Sequence, residues 1–175
     1  VIRCSGSFIQ NEEKCQCHGL TACSAGDFCI DEQYCSSHMK CVGKLFNQTF
    51  LPDWLTQECS CGNKDENIVC PLGQPVCDAT NLNCFYPRCQ TLYPGLTNQL
   101  KITSKCECSP THSQPAENCE QDKYCYEDTK RCREGPPCNN RKGLVPNLEP
   151  CACGTADCTT SDKRYCAWDQ NTCHY

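Results

Sequence analysis

Large apolar residues are sparse in this chain and fall in short groups, each confined to one interval between cysteines. The densest group lies in VGKLFNQTFLPDWLTQE, residues 42–58, which carries Leu45, Phe46, Phe50, Leu51, Trp54 and Leu55. Others are Phe8 with Ile9, then Leu92, Tyr93, Leu96, Leu100 and Ile102, then Leu144, Val145 and Leu148. None keeps a 3.6-residue period beyond a turn or two, so no sustained helix is predicted. A second pattern recurs four times. Phe28, Val76, Tyr124 or Tyr165, each a strand-favouring type, immediately precedes a cysteine, and IDEQY, DATNLN, YEDTKR or AWDQNT separates that cysteine from the next. Short Asp, Asn and Thr side chains bond back to the backbone and favour turns, so each such segment predicts a small β-hairpin.

The cysteines give these hairpins a frame. C-x-C occurs four times, and around each copy lies the same order of six cysteines. The sets are Cys4, Cys15, Cys17, Cys23, Cys29 and Cys35; Cys41, Cys59, Cys61, Cys70, Cys77 and Cys84; Cys89, Cys106, Cys108, Cys119, Cys125 and Cys132; and Cys138, Cys151, Cys153, Cys158, Cys166 and Cys173. Together they use all 24 cysteines. The last three of each set keep nearly constant spacing, whereas the first interval and the one after C-x-C vary, as surface loops do. The expected organisation is four tandem modules, at 1–38, 39–86, 87–135 and 136–175, with bridges inside each module. Six cysteines can pair in about 15 ways, and the spacing leaves that choice open.

With 24 cysteines in 175 residues and only five Phe, two Trp and one Met, a single large core is out of reach. Chains of this kind are stapled, and stapling belongs to oxidising compartments. The fold expected is therefore small and disulfide-rich: little regular structure, one short β-hairpin per module, and short connectors that string the modules into an elongated rod. The start at Val1, without Met or an apolar leader, is read as a mature secreted chain freed of its signal peptide. The net charge of −5 argues against nucleic-acid partners. The longest stretch without cysteine is too short and too polar to span a bilayer.

Cysteine-rich chains also invite a metal. Structural zinc favours C-x₂₋₄-C pairs, which place two sulfurs on one ion, and this chain has no C-x-x-C. That absence also disfavours a thioredoxin-type redox site. His18, His38, His112 and His174 stand in polar or terminal settings with no zinc-protease or serine-hydrolase motif nearby. Asp31-Glu32 and the run 117–122 lack the ordered ligand loop of a calcium site. No catalytic residue, metal or cofactor is expected. Asn47-Gln48-Thr49 is an N-glycosylation sequon, making Asn47 a candidate modification site.

The pattern C-x-C-G…C…Y-C…C is clearest in CACGTADCTTSDKRYCAWDQNTC, residues 151–173. It resembles the tandem six-cysteine modules of secreted and cell-surface proteins of dinoflagellates and related protists. The resemblance covers the whole chain as four units. Gly62 and Gly154 keep the glycine, whereas His18 and Ser109 stand in its place in the first and third modules. It implies an extracellular or cell-surface setting and brings no activity with it. EGF-like modules, also with six cysteines, place C-x-C elsewhere in the order and match poorly.

Two functions fit these features. One is a non-catalytic structural or adhesive protein, a stapled repeat rod in a cell coat, extracellular filament or larger assembly, with other chains or copies of itself as partners. The alternative is a multi-headed inhibitor of secreted proteases, for which crosslinks would pre-order the loops. The four first-interval loops share apolar character but no reactive residue at a common offset, which favours the structural reading. Part of residues 42–58 is expected to cover the disulfides of its module. The surplus, Phe46, Phe50, Leu51 and Trp54, is expected to form an exposed contact patch.

Overall fold

The structure, a computed structural model, describes residues 2–18, 21–44, 53–109, 117–159 and 165–175. The chain divides into two compact units, residues 1–87 and 88–175, each holding two of the four cysteine sets.

Every module is built from two short antiparallel hairpins. The first contains C-x-C: Cys15–His18 with Thr21–Cys23, Cys59–Gly62 with Asn67–Cys70, Cys106–Cys108 with Glu117–Cys119, and Cys151–Cys153 with Ala156–Cys158. The second is the one predicted between the fifth and sixth cysteines: Phe28–Ile30 with Tyr34–Ser36, Val76–Asp78 with Asn83–Phe85, Tyr124–Tyr126 with Arg131–Arg133, and Tyr165–Ala167 with Thr172–His174. Helix is limited to single turns at Asp53–Thr56, Cys89–Leu92 and Trp168–Gln170 among the described residues.

Twelve disulfides join these pieces, all within a module and all in one order. The first cysteine bonds the second, the third the fifth and the fourth the sixth. In module 3 these are Cys89–Cys106, Cys108–Cys125 and Cys119–Cys132. Register alone does not make the choice. The fifth and sixth cysteines are cross-strand neighbours, as Cys125 and Cys132 are. Each nevertheless bonds across to the first hairpin, so two bridges clamp one hairpin against the other. The remaining bridge ties down the entering chain, whose last residue before the first cysteine pairs in parallel with the middle residue of C-x-C. Arg3 pairs so with Gln16, Lys40 with Ser60, Arg88 with Glu107 and Pro137 with Ala152.

The interiors differ in what accompanies the sulfur. The buried cluster of module 4 consists of cysteine alone, and module 1 keeps a similar sulfur cluster of its own. Module 3 adds Ile102, packed under Leu92, Tyr93 and Leu96. Phe28 and Ile30 of module 1 leave their own module's sulfur and share one cluster with Met39, Val42, Trp54 and Val76 of module 2.

That merging corrects the reading of residues 42–58. Trp54 is 3% exposed, and the Phe8 ring meets it edge-on at 5.7 Å. It is therefore not part of an exposed patch. The residues treated as surplus in an isolated module are needed where two modules share a core. Phe46, Phe50, Leu51 and the sequon at Asn47 lie outside the described residues. The apolar residues of the other first-interval loops do not all turn inward. Ile102 does, as Trp54 does, but Ile9, Leu144 and Leu148 are 60%, 80% and 85% exposed.

Candidate functional site

No thiol is free, because all 24 cysteines are oxidised. Several sulfur trios lie close together, among them Cys41, Cys59 and Cys70, all within 4.8 Å of one another. Each sulfur is spent in a disulfide and offers no thiolate to a metal. His38 lies 3.1 Å from the Ser37 hydroxyl and 3.4 Å from Glu58, and His174 lies 2.9 Å from the Thr172 hydroxyl. His112 falls outside the described residues, as does the His18 side chain. A cavity of about 510 Å³ is lined by Arg3, Ser5, Gln16, Glu32 and the Cys17–Cys29 bridge. No helix among the described residues is long and apolar enough to cross a membrane.

The richest side-chain constellations lie where the two modules of each unit meet, and within each unit the plan is the same: the second hairpin of one module docks on the C-x-C hairpin of the next. In the first unit, Phe28 and Ile30 cover Met39, the residue two before Cys41. The Tyr34 hydroxyl lies 3.2 Å from that of Ser60 in the middle of C-x-C. The Lys40 ammonium donates to both oxygens of Asp31 at 2.6 Å, and the Lys40 backbone N–H donates to Ser7 O at 3.0 Å.

In the second unit one side chain dominates. Arg133, just after the sixth cysteine of module 3, is 7% exposed. Its guanidinium donates to Asp157 Oδ1 at 2.8 Å and to the carbonyls of Thr155, Gly154 and Ala156 at 2.8, 3.3 and 2.7 Å. The planar fork of arginine suits such a ring of acceptors; an ammonium does not. The Tyr126 ring lies 5.9 Å beneath it, and the Tyr126 hydroxyl donates to Gly135 O at 3.1 Å. Burial pushes that hydroxyl up to about 12, so it remains a donor across the useful pH range.

Two glycines explain the Gly of C-x-C-G. Gly62 has φ +121° and Gly154 +58°, regions costly for any residue with a Cβ. At Gly62 a Cβ would lie 2.3 Å from the Glu66 carbonyl oxygen, a backbone atom unable to yield cheaply. Gly62→Ala should therefore lower stability by about 1–2 kcal/mol, read from the urea midpoint of the oxidised chain. An unchanged midpoint would show that the hairpin turn relaxes freely.

Electrostatics sharpen one more turn. Lys44 Nζ at 2.8 Å and then Asn81 Nδ2 at 2.9 Å donate to Asp78, holding its carboxyl well below the usual carboxylate range. A carboxylate depressed on folding stabilises above its unfolded value of about 4 and loses that effect as pH falls through the folded value. The melting-point gap between the wild type and Asp78→Asn should thus be present at pH 7 and shrink in acid. A gap independent of pH would remove the ionic contribution.

Sequence reasoning passed over two asparagines, each four residues before the second cysteine of its module. Asn11 accepts from Ser5 N at 2.8 Å and donates to Asp27 O at 2.7 Å. Asn147 accepts from Asn140 N at 2.9 Å and donates to Asn140 O at 3.0 Å. Both are 5% exposed and hold their loops from inside. Their shared offset was the available signal. Comparison with protein-family models, with curated proteins and with solved structures returns no match for this chain.

Proposed function

We propose that this chain is a non-catalytic, secreted structural or adhesive protein, a serial array of stapled modules acting as a component of a cell coat, extracellular filament or larger assembly. Its twelve disulfides fit an oxidising, extracellular setting. The observation that carries the reading is the repeated junction. In each unit a buried, hydrogen-bonded side chain joins one module to the next, Ser60 with Tyr34 in the first and Arg133 in the second, as in repeat proteins whose work is to extend a surface.

One observation favours the inhibitor reading as the alternative. The loop at 139–150 is closed by Cys138–Cys151, held from inside by Asn147, and presents Leu144 and Leu148 almost fully to solvent. Such a pre-ordered loop loses little entropy on entering a cleft.

A single fractionation separates the two. Antibody labelling of unpermeabilised producing cells, with assay of the insoluble coat and the medium, should place the chain in the coat. Recovery only from the medium, with stoichiometric inhibition of a secreted protease, would replace the structural reading by the inhibitory one.

A further inference from the structure

The junction between modules 1 and 2 is a pair of faces whose counterparts recur, exposed, on modules 1 and 4. The receiving face of module 2 is Met39, Lys40 and Ser60, set by the parallel bridge of Lys40 to Ser60. Module 1 carries Ile2, Arg3 and Gln16 at the same offsets from its own cysteines, set by the same parallel bridge of Arg3 to Gln16. Met39 is 5% exposed beneath Phe28 and Ile30, whereas Ile2 is 60% exposed. The Lys40 ammonium is taken up by Asp31; Arg3 has no ion pair among the described residues.

The donating face shows the converse. Asp31 lies four residues before the sixth cysteine of module 1, and Asp169 lies four before that of module 4. Asp169 is exposed and likewise has no ion pair among the described residues. Beside it, Tyr165 and Ala167 hold the places of Phe28 and Ile30 and are half-buried, while Trp168 is 37% exposed. The Arg141 guanidinium stacks over the Trp168 ring at 4.3 Å, so the apolar part of this face is Tyr165, Ala167 and the rest of the indole, and Asp169 supplies the charge complementary to Arg3.

Resting on the assembly reading above, we propose that the second hairpin of module 4 in one copy docks on the Ile2–Arg3–Gln16 face of module 1 in a second copy. Asp169 then pairs with Arg3 as Asp31 pairs with Lys40, and Tyr165, Ala167 and Trp168 cover Ile2 as Phe28 and Ile30 cover Met39. The two faces differ, so the contact is heterologous and repeats from copy to copy, giving open chains or rings rather than a two-fold dimer. Burial of the apolar residues supplies affinity, and the ion pair sets register.

The test is sedimentation of the full oxidised chain over a concentration series, with Arg3→Glu, Asp169→Lys and the combined variant. All carry exposed substitutions, and mass spectrometry and melting confirm twelve bridges and an intact fold in each. The wild type should associate as concentration rises. Each single reversal should weaken association about tenfold or more, and the combined variant should recover most of the loss. Mixing the two single variants should give pairs that neither forms alone. Association unchanged by both reversals would overturn this pair of faces while leaving assembly itself intact. A wild type that stays monomeric to about 1 mM would overturn self-association, and the cell-labelling experiment would then judge the coat reading separately.

Discussion

Replacing Cys153 and Cys166 together by serine should unfold the fourth module at ambient temperature. Among the described residues its buried cluster is cysteine alone and only the small Ala152 is buried beside it, so little apolar surface remains to hold the hairpins face to face once a clamp is gone. The bridge closes a separation of 13 residues, and removing such a crosslink costs on the order of 3 kcal/mol, within the 2–5 kcal/mol usual for small secreted domains. The informative comparison is Cys108→Ser with Cys125→Ser, which deletes the corresponding clamp of module 3. There Ile102 stays packed under Leu92, Tyr93 and Leu96, and a partial core survives. Hydrogen exchange of the two variants should show protection lost throughout 151–173 in the first and only thinned over 106–132 in the second. Equal protection in both would mean that apolar residues contribute nothing beyond the crosslinks.

Arg133→Ala should be the most damaging substitution outside the cysteines, costing on the order of 3 kcal/mol. It removes four charge-assisted hydrogen bonds and leaves the carbonyls of Gly154, Thr155 and Ala156 and the Asp157 carboxylate without their shared donor. Asp157 is partly exposed and can recover water, so the loss falls mainly on the carbonyls. Arg133→Lys should recover little of it, because one ammonium cannot reach acceptors spread around a hairpin turn. A double-mutant cycle with Asp157→Asn apportions the effect: a coupling energy near zero would reduce Arg133 to packing on Tyr126.

How far the sequence exposes this structure depends on the distance between cause and effect. The hairpin between the fifth and sixth cysteines is written locally, in a strand former before one cysteine and Asp- and Asn-bearing turns after it. The sulfur pairing is not, because Cys29 and Cys35 are cross-strand neighbours yet bond Cys17 and Cys23 on the other hairpin. Only the facing of the two hairpins decides between those options. Trp54 shows the same limit. Considered within one module it looks like surplus, but Phe8, Phe28 and Ile30 of the preceding module complete its surroundings. Arg133 has its acceptors 21 to 24 residues downstream, three of them backbone carbonyls that carry no residue signature. The asparagines at 11 and 147 were within reach, since their common offset is visible once the loops are aligned on the second cysteine.

The closure of every bridge inside its own module bears on how such a chain is made and how it varies. Sequence separations between partners run only from 11 to 18 residues. Each module therefore carries all its partners within a short stretch of chain, and the lower loop-closure cost of those pairings favours them over pairings across the array. At the level of genes, a cut made between one sixth cysteine and the next first cysteine strands no thiol on either side. Whole modules can then be duplicated, lost or exchanged while each copy still oxidises correctly. Array length is thus free to drift under selection in a way that a protein with interleaved crosslinks does not permit.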